Sequence, residues 1–273
     1  MKQEKLKVKK KGMSRRRMKR YIPLYLMILP GLIYLIINNY MPMAGLTLAF
    51  KKVNYSIGLF QSPWCGLDNF KFLFQSKDAW IITRNTLLYN VAFIAVNMIV
   101  GIAVAILICE VRNNKMKKLY QSAILLPFLM SMVILSYIVY ALLSSENGLI
   151  NNTILSALGK EPVQWYQQPK YWPFILVFAN CWKGVGYGCL IYIASIIGID
   201  PSYYEAASLD GATKWQQITK ITLPSLVPTI ITLLLLNIGR IFYSDFGLFY
   251  QVPMNSGVLF PTTNVIDTYV RCV

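Results

Sequence analysis

Apolar positions gather into long unbroken runs separated by short polar intervals, with none of the ten-residue alternation of a transmembrane barrel. Runs of about 18 or more such residues are long enough to cross a bilayer as helices. They predict five spans, near 22–40, 87–109, 123–143, 172–199 and 226–246. Pro23 and Pro30-Gly31 are expected to bend the first span. The run Lys183-Gly-Val-Gly-Tyr-Gly188 is expected to interrupt the fourth, which a membrane tolerates where neighbours or water satisfy the freed backbone groups. Composition agrees: 14% of residues are charged, against about 25% in soluble domains, and mean hydropathy is +0.47. The fold class predicted is an all-α polytopic membrane protein.

The polar interval at 200–224 carries its own helix signals. Asp200 caps a first helix with Pro201 at its first position, and Gly211 ends it. Thr213 and Gln216 form a capping box for a second helix over 214–221, before Pro224. A helix-turn-helix on a membrane surface suits docking to a partner.

The formal net charge of +16 is concentrated at the start of the chain, where residues 1–20 hold eleven Lys or Arg and one Glu. A basic tail before an apolar span is a cytoplasmic retention signal beside anionic lipid. No groove-reading or aromatic-interleaved module accompanies the charge, so nucleic acid is not the expected partner. A cleaved signal peptide is disfavoured, because apolar character continues to Phe50 without a small-x-small site. Arg112, Lys115, Lys117 and Lys118 place the next short connection inside, and 200–224 follows two spans later, also inside. Segments 43–85 and 144–171 then lie outside. The first carries Lys51, Lys52, Lys71, Lys77 and Arg84, but long loops weigh little in the rule. The chain divides into a basic tail, 1–20, and a membrane domain, 21–273.

The sequence has no histidine, five scattered cysteines without a C-x-x-C pair, and no G-x-x-x-x-G-K-[ST] loop. No catalytic, metal or cofactor residues are therefore assigned, and if the chain moves a solute uphill the energy has to come from another subunit. If the chain carries a solute, contact with it is expected in the fourth and fifth spans. Lys183 and Arg240 are costly charges inside apolar runs, and Tyr243 and Asp245 follow Arg240 near the outer end of its helix. Trp182, Tyr187 and Tyr192 offer rings to stack on a cyclic solute, and Asn180 and Asn237 offer amides. The competing reading makes Arg240 a snorkelling residue or a partner of Asp245, and the aromatics interfacial anchors. An ion-coupled secondary carrier is the alternative class. It predicts repeats and intramembrane acids, and neither is seen.

The ordered set Glu205-Ala-Ala-Ser-Leu-Asp210-Gly-Ala212, Trp215, Ile221, Leu223-Pro224 and Pro228 resembles the coupling loop of binding-protein-dependent ABC importer permeases of the maltose-type superfamily. Pro30-Gly31, Asn38, Tyr40, Pro42-Met43, Gly66-Leu-Asp68-Asn-Phe70, Asn85-Thr86, Leu126-Pro127 and Asn147-Gly148-Leu149-Ile150-Asn151 resemble its oligosaccharide branch, which works with lipoprotein-type binding proteins. The resemblance implies a type I importer transmembrane domain. It also implies a second, different permease chain, two ATPase subunits that bind ATP and Mg, an extracellular binding protein and a carbohydrate cargo. Coupling would fall to Glu205, Ala206, Ala207, Asp210, Gly211, Ala212, Leu223 and Pro224. The family generally has a sixth helix after a segment like Val265-Ile-Asp267-Thr-Tyr269. Only five spans are read here, so a sixth is expected to be missing.

Overall fold

The computed structural model describes residues 15–272 except 55, 59, 60 and 76, so most of the basic tail lies outside the described residues. They form two compact units, divided between Ser76 and Lys77.

The first unit opens with α1, Arg15–Leu35, which passes Pro23 and Pro30 without ending. A π-helical turn, Ile36–Tyr40, a short α2, Met41–Met43, and a 3-10 segment, Ala44–Phe50, continue it. The apolar rod therefore runs over Tyr21–Phe50, longer than the predicted 22–40. Beyond it the chain folds back through a Lys51–Trp64 bridge. Asn69, in α3 (Asp68–Gln75), ties this turn down by donating to Ala49 O and Lys51 O.

In the second unit, α4 is a single helix, Lys77–Glu110, about 50 Å long at 1.5 Å per residue. The predicted third span is two helices, α5 (Asn114–Leu129) and α6 (Met132–Leu143), bent by 96°. Apolarity alone reads through this break. Pro127 lacks a donor in the last turn of α5, Met130 is extended, and Ser131 starts α6 as an N-cap accepting from Ile134 N.

The predicted interruption of the fourth span is absent: α7 runs unbroken over Trp172–Ile197. Its glycines serve packing instead. A Cβ on Gly186 would lie 2.0 Å from Ile124 O, so α7 and α5 touch backbone to backbone there, while one on Gly188 would meet nothing within 4 Å.

The helix-turn-helix follows as α8 (Pro201–Leu209) and α9 (Lys214–Gln217). The second helix does not stop before Pro224. A π-helical turn, Ile218–Thr222, carries it into α10, Leu223–Ile238, with Leu223 N bonded to Ile218 O. That wider turn takes the chain past a proline that has no amide to give. The fifth span then ends at Ile238, earlier than predicted, and residues 239–245 form a turn.

Short helices α11 (Phe246–Gln251), α12 (Phe260–Thr263) and α13 (Ile266–Cys272) complete the unit. They are fastened to the first turns of α4. Asn85 donates to Pro261 O and Asn264 O, Tyr89 OH donates to Thr262 O, and Thr86 Oγ accepts from Ile266 N. Among the described residues four helices are long and apolar enough to cross a membrane, and the bent pair makes up to a fifth.

Two buried clusters lie along α4 and α7. One joins Tyr89, Leu135, Trp172, Leu176 and Leu248, and the other joins Ala105, Ile108, Cys189, Tyr192 and Leu226. The connection from α6 to α7 is organised by buried Asn151. It donates to Ser144 O and Val163 O and accepts from Val163 N and Trp165 Nε1.

Candidate functional site

Three helices and a turn enclose a cleft of about 370 Å3. α4 contributes Asn90, Phe93 and Asn97, α7 contributes Asn180, Tyr187 and Tyr192, α10 contributes Asn237, and the following turn contributes Arg240, Tyr243 and Asp245. Seven residues singled out from sequence thus share one wall-to-wall space, although they come from separate stretches of the chain.

Asn97 Nδ2 donates to Asn180 Oδ1 at 2.8 Å, while Asn97 Oδ1 is buried without a hydrogen-bond partner among the described residues. A buried acceptor left open is costly unless something meets it. Asn90 donates to Thr86 O and to Tyr243 O, and so ties the turn to α4. The sequence reading missed Asn90 and Asn97. Their seven-residue spacing on an otherwise apolar helix places both on one face, and that was the available signal.

Arg240 and Tyr243 are exposed and lie in the turn beyond α10, not within a helix. The ion pairs among the described residues are Lys71–Asp68 and Lys214–Glu110, so Arg240 and Asp245 are not partners. Asp245 instead caps α11 through Leu248 N. The cleft therefore offers amides, aromatic faces, the Asp245 carboxylate and one guanidinium not paired with it, a set suited to a hydroxyl-rich ring compound.

Lys183 and Trp182 do not line this cleft. Lys183 Nζ donates to Phe128 O at 3.0 Å and Met130 O at 2.6 Å, the orphaned carbonyls where α5 breaks off. A cation at a helix C-terminus is electrostatically favoured, and this satisfies a charge that a membrane interior penalises. Trp182 is exposed on another face of α7.

The second candidate region is the 200–224 segment. Asp200 accepts from Ser202 N, which holds its carboxyl below the usual carboxylate range. Gly211 takes φ +78°, and around it Gly211 N bonds Ser208 O and Ala212 N bonds Ala207 O, the paired bonds of a Schellman cap. Both halves of the Thr213–Gln216 capping box are present. Gln217 Nε2 to Ser208 Oγ and the Tyr204–Thr222 hydroxyl pair lock α8 onto the following helix.

A notch of about 350 Å3 between the two helices is lined by Ala207, Asp210, Gly211 and Ala212. Glu205 and Ala206 are exposed on α8, and Leu223 and Pro224 lie beyond the π-helical turn, at the start of α10. Leu209 is 90% exposed and Trp215 73% exposed, large apolar groups at the rim of a polar segment.

Residues 97–244 match the family described as binding-protein-dependent transport system inner membrane component. The chain is 35% identical over 252 residues to the polygalacturonan/rhamnogalacturonan transport system permease protein YteP of Bacillus subtilis strain 168, covering 90% of this chain and 76% of that protein. It is 33% identical over 247 residues to protein LplB of the same organism, covering 90% and 77%. Among solved structures it is similar to a chain of a bacterial ABC transporter that imports the acidic polysaccharide alginate, with TM-score 0.84, 36% identity, and coverage of 93% and 85%. A second structure of an alginate ABC transporter, in complex with an alginate pentasaccharide-bound periplasmic protein, gives TM-score 0.84 at 35% identity.

Proposed function

The chain belongs to the binding-protein-dependent transport system inner membrane component family, as a permease of the ABC sugar transport type, and we propose a specific division of labour within it. The cleft between α4, α7 and α10 is the passage for an oligosaccharide, and the 200–224 segment is the cytoplasmic lever on which an ATPase subunit pulls. The observation that carries this reading is the convergence of Asn97, Asn180, Tyr187, Asn237 and Arg240 on one cleft that holds an unpartnered buried acceptor.

Similar permeases are named for polygalacturonan/rhamnogalacturonan and for alginate import, and Arg240 supplies a cation that a uronate carboxylate would meet. An acidic oligosaccharide is therefore the cargo proposed. A receptor outside the membrane, like the periplasmic protein in the alginate complex, delivers it.

Two ATPase subunits and a second, different permease complete the transporter, and ATP and Mg are bound by the ATPases. Leu209, Trp215 and the notch at Ala207–Gly211 are the docking features. ATP-driven closure of the ATPases shifts the population from an inward-open to an outward-open cleft. The N-terminus and the 200–224 segment share the cytoplasmic side.

The test is joint replacement of Glu205 and Gly211, with uptake, ATPase co-purification and membrane insertion measured together. Uptake and ATPase retention should fall while insertion stays intact. Transport by a normally ATPase-bound double mutant would refute the lever. Uptake driven by a proton or sodium gradient without ATP would favour a secondary carrier instead.

A further inference from the structure

Lys183 stands at the junction of two features so far treated separately, the break in the third span and the wall of the cleft. Its ammonium holds Phe128 O and Met130 O, the last carbonyls before α6 departs at 96°. The same nitrogen lies 5.7 Å from the centre of the Phe128 ring. That ring is stacked on Tyr187, with centroids 5.0 Å apart and planes within 14°. Tyr187, one helical turn beyond Lys183, lines the cleft. A pinned backbone, a ring fixed on that backbone and a second ring in the cleft thus form a short physical chain.

We propose that Lys183 is a positioning residue for cargo: it pins the α5 terminus so that Phe128 holds the Tyr187 ring in place in the cleft wall. The inference rests on the reading of that cleft as the passage. Without the ammonium, two carbonyls at the break lose their donor and the end of α5 is free to shift. Tyr187 then has to be ordered by the cargo itself, which weakens recognition. Movement at the break, conversely, reaches the cargo through Tyr187. Trp182, the neighbour of Lys183, has no place in this chain of contacts.

Membrane vesicles carrying the complete transporter and its receptor give the test. Labelled short oligogalacturonides serve as the probe, with maltodextrins of similar length as a second. Uptake per assembled transporter should fall roughly three- to tenfold in Lys183→Met, the scale of one aromatic pair. Lys183→Arg, which still donates, should restore most of it. Phe128→Leu keeps both carbonyl bonds but removes the ring, and should show a similar fall even if Lys183→Met does not assemble. In a Tyr187→Ala background, Lys183→Met should add less than about twofold.

Normal uptake by Phe128→Leu, or an undiminished Lys183→Met effect without Tyr187, overturns the inference. Normal uptake by Tyr187→Ala alone instead removes the cleft reading beneath it. Impaired Tyr187→Ala beside normal Lys183→Met and Phe128→Leu removes only the positioning role.

Discussion

Replacing Gly186 with alanine isolates how closely α5 and α7 are required to approach. The added Cβ would sit 2.0 Å from Ile124 O, 2.8 Å from Ile124 C and 3.3 Å from Leu125 Cα, all backbone atoms with no side-chain rotamer to relieve them. An ordinary close carbon–oxygen contact is about 3.3 Å, so the helices have to part by about 1.3 Å at that point. Overpacking of this kind costs roughly 1–3 kcal/mol in a close-packed interior. The Lys183 bonds to Phe128 O and Met130 O bridge the same two helices one turn away. A shift of that size stretches both beyond hydrogen-bonding range, adding about 1.5–3 kcal/mol for a charged donor. The expected total is about 2.5–6 kcal/mol. Gly188→Ala, whose Cβ meets nothing within 4 Å, should be neutral or stabilising by up to about 1 kcal/mol through helix propensity. The assay is thermal or denaturant unfolding of the purified transporter, with assembly yield as the companion measurement. Equal stability of the two variants would refute the close-approach argument, because helix propensity alone treats them alike.

Three further outcomes follow from the same geometry. Asn151→Ala removes four hydrogen bonds and strands the Trp165 indole donor, so the α6–α7 connection should lose about 2–4 kcal/mol and become sensitive to limited proteolysis. Asp200 has a depressed carboxyl pKa, so its cap on α8 is intact at neutral pH and is lost as the pH falls below the ordinary carboxylate range, through the folded value. Protection of the Ser202 amide from hydrogen exchange, relative to its intrinsic rate at each pH, should therefore fall in acid, whereas protection in Asp200→Asn should not change with pH. Leu209→Ser combined with Trp215→Ser should change unfolding by no more than about 0.5 kcal/mol, since both side chains are exposed, yet lower ATPase retention in pull-downs.

Local grammar was the most legible part of this chain. Asp200, Gly211, Thr213 and Gln216 act on backbone groups within a few residues of themselves, and each cap forms as those residue types require. Features that depend on a distant partner were not legible. The glycines at 184, 186 and 188 read alike as helix breakers. Only the backbone of Ile124, some sixty positions away, singles out Gly186 as a packing residue.

The third span was read as continuous despite Pro127, and the break there has Ser131 capping one side and Lys183 satisfying the other. Lys183 was singled out as a costly charge expected to line the solute path, and it does not line the cleft. Its partners were two carbonyls of another helix, which no pairwise charge rule names. Arg240 and Tyr243 were assigned to a helix because apolar character runs past Gly239. The chain turns there, and Asn90 and Asp267 hold that turn through Tyr243 O and Ser244 N.

The clasp between the start of α4 and the 261–266 stretch sets an order of events during synthesis. Asn85 waits 176 residues for Pro261 O and 179 for Asn264 O. At about 5–20 residues per second the ribosome takes roughly ten to thirty-five seconds to deliver them. Throughout that interval an amide, a hydroxyl and a phenol on the opening turns of α4 lack the carbonyls and amide that the 261–266 stretch gives them. A nascent chain halted before residue 261 therefore holds a half-finished second unit, with a polar stripe that the 261–266 stretch later closes.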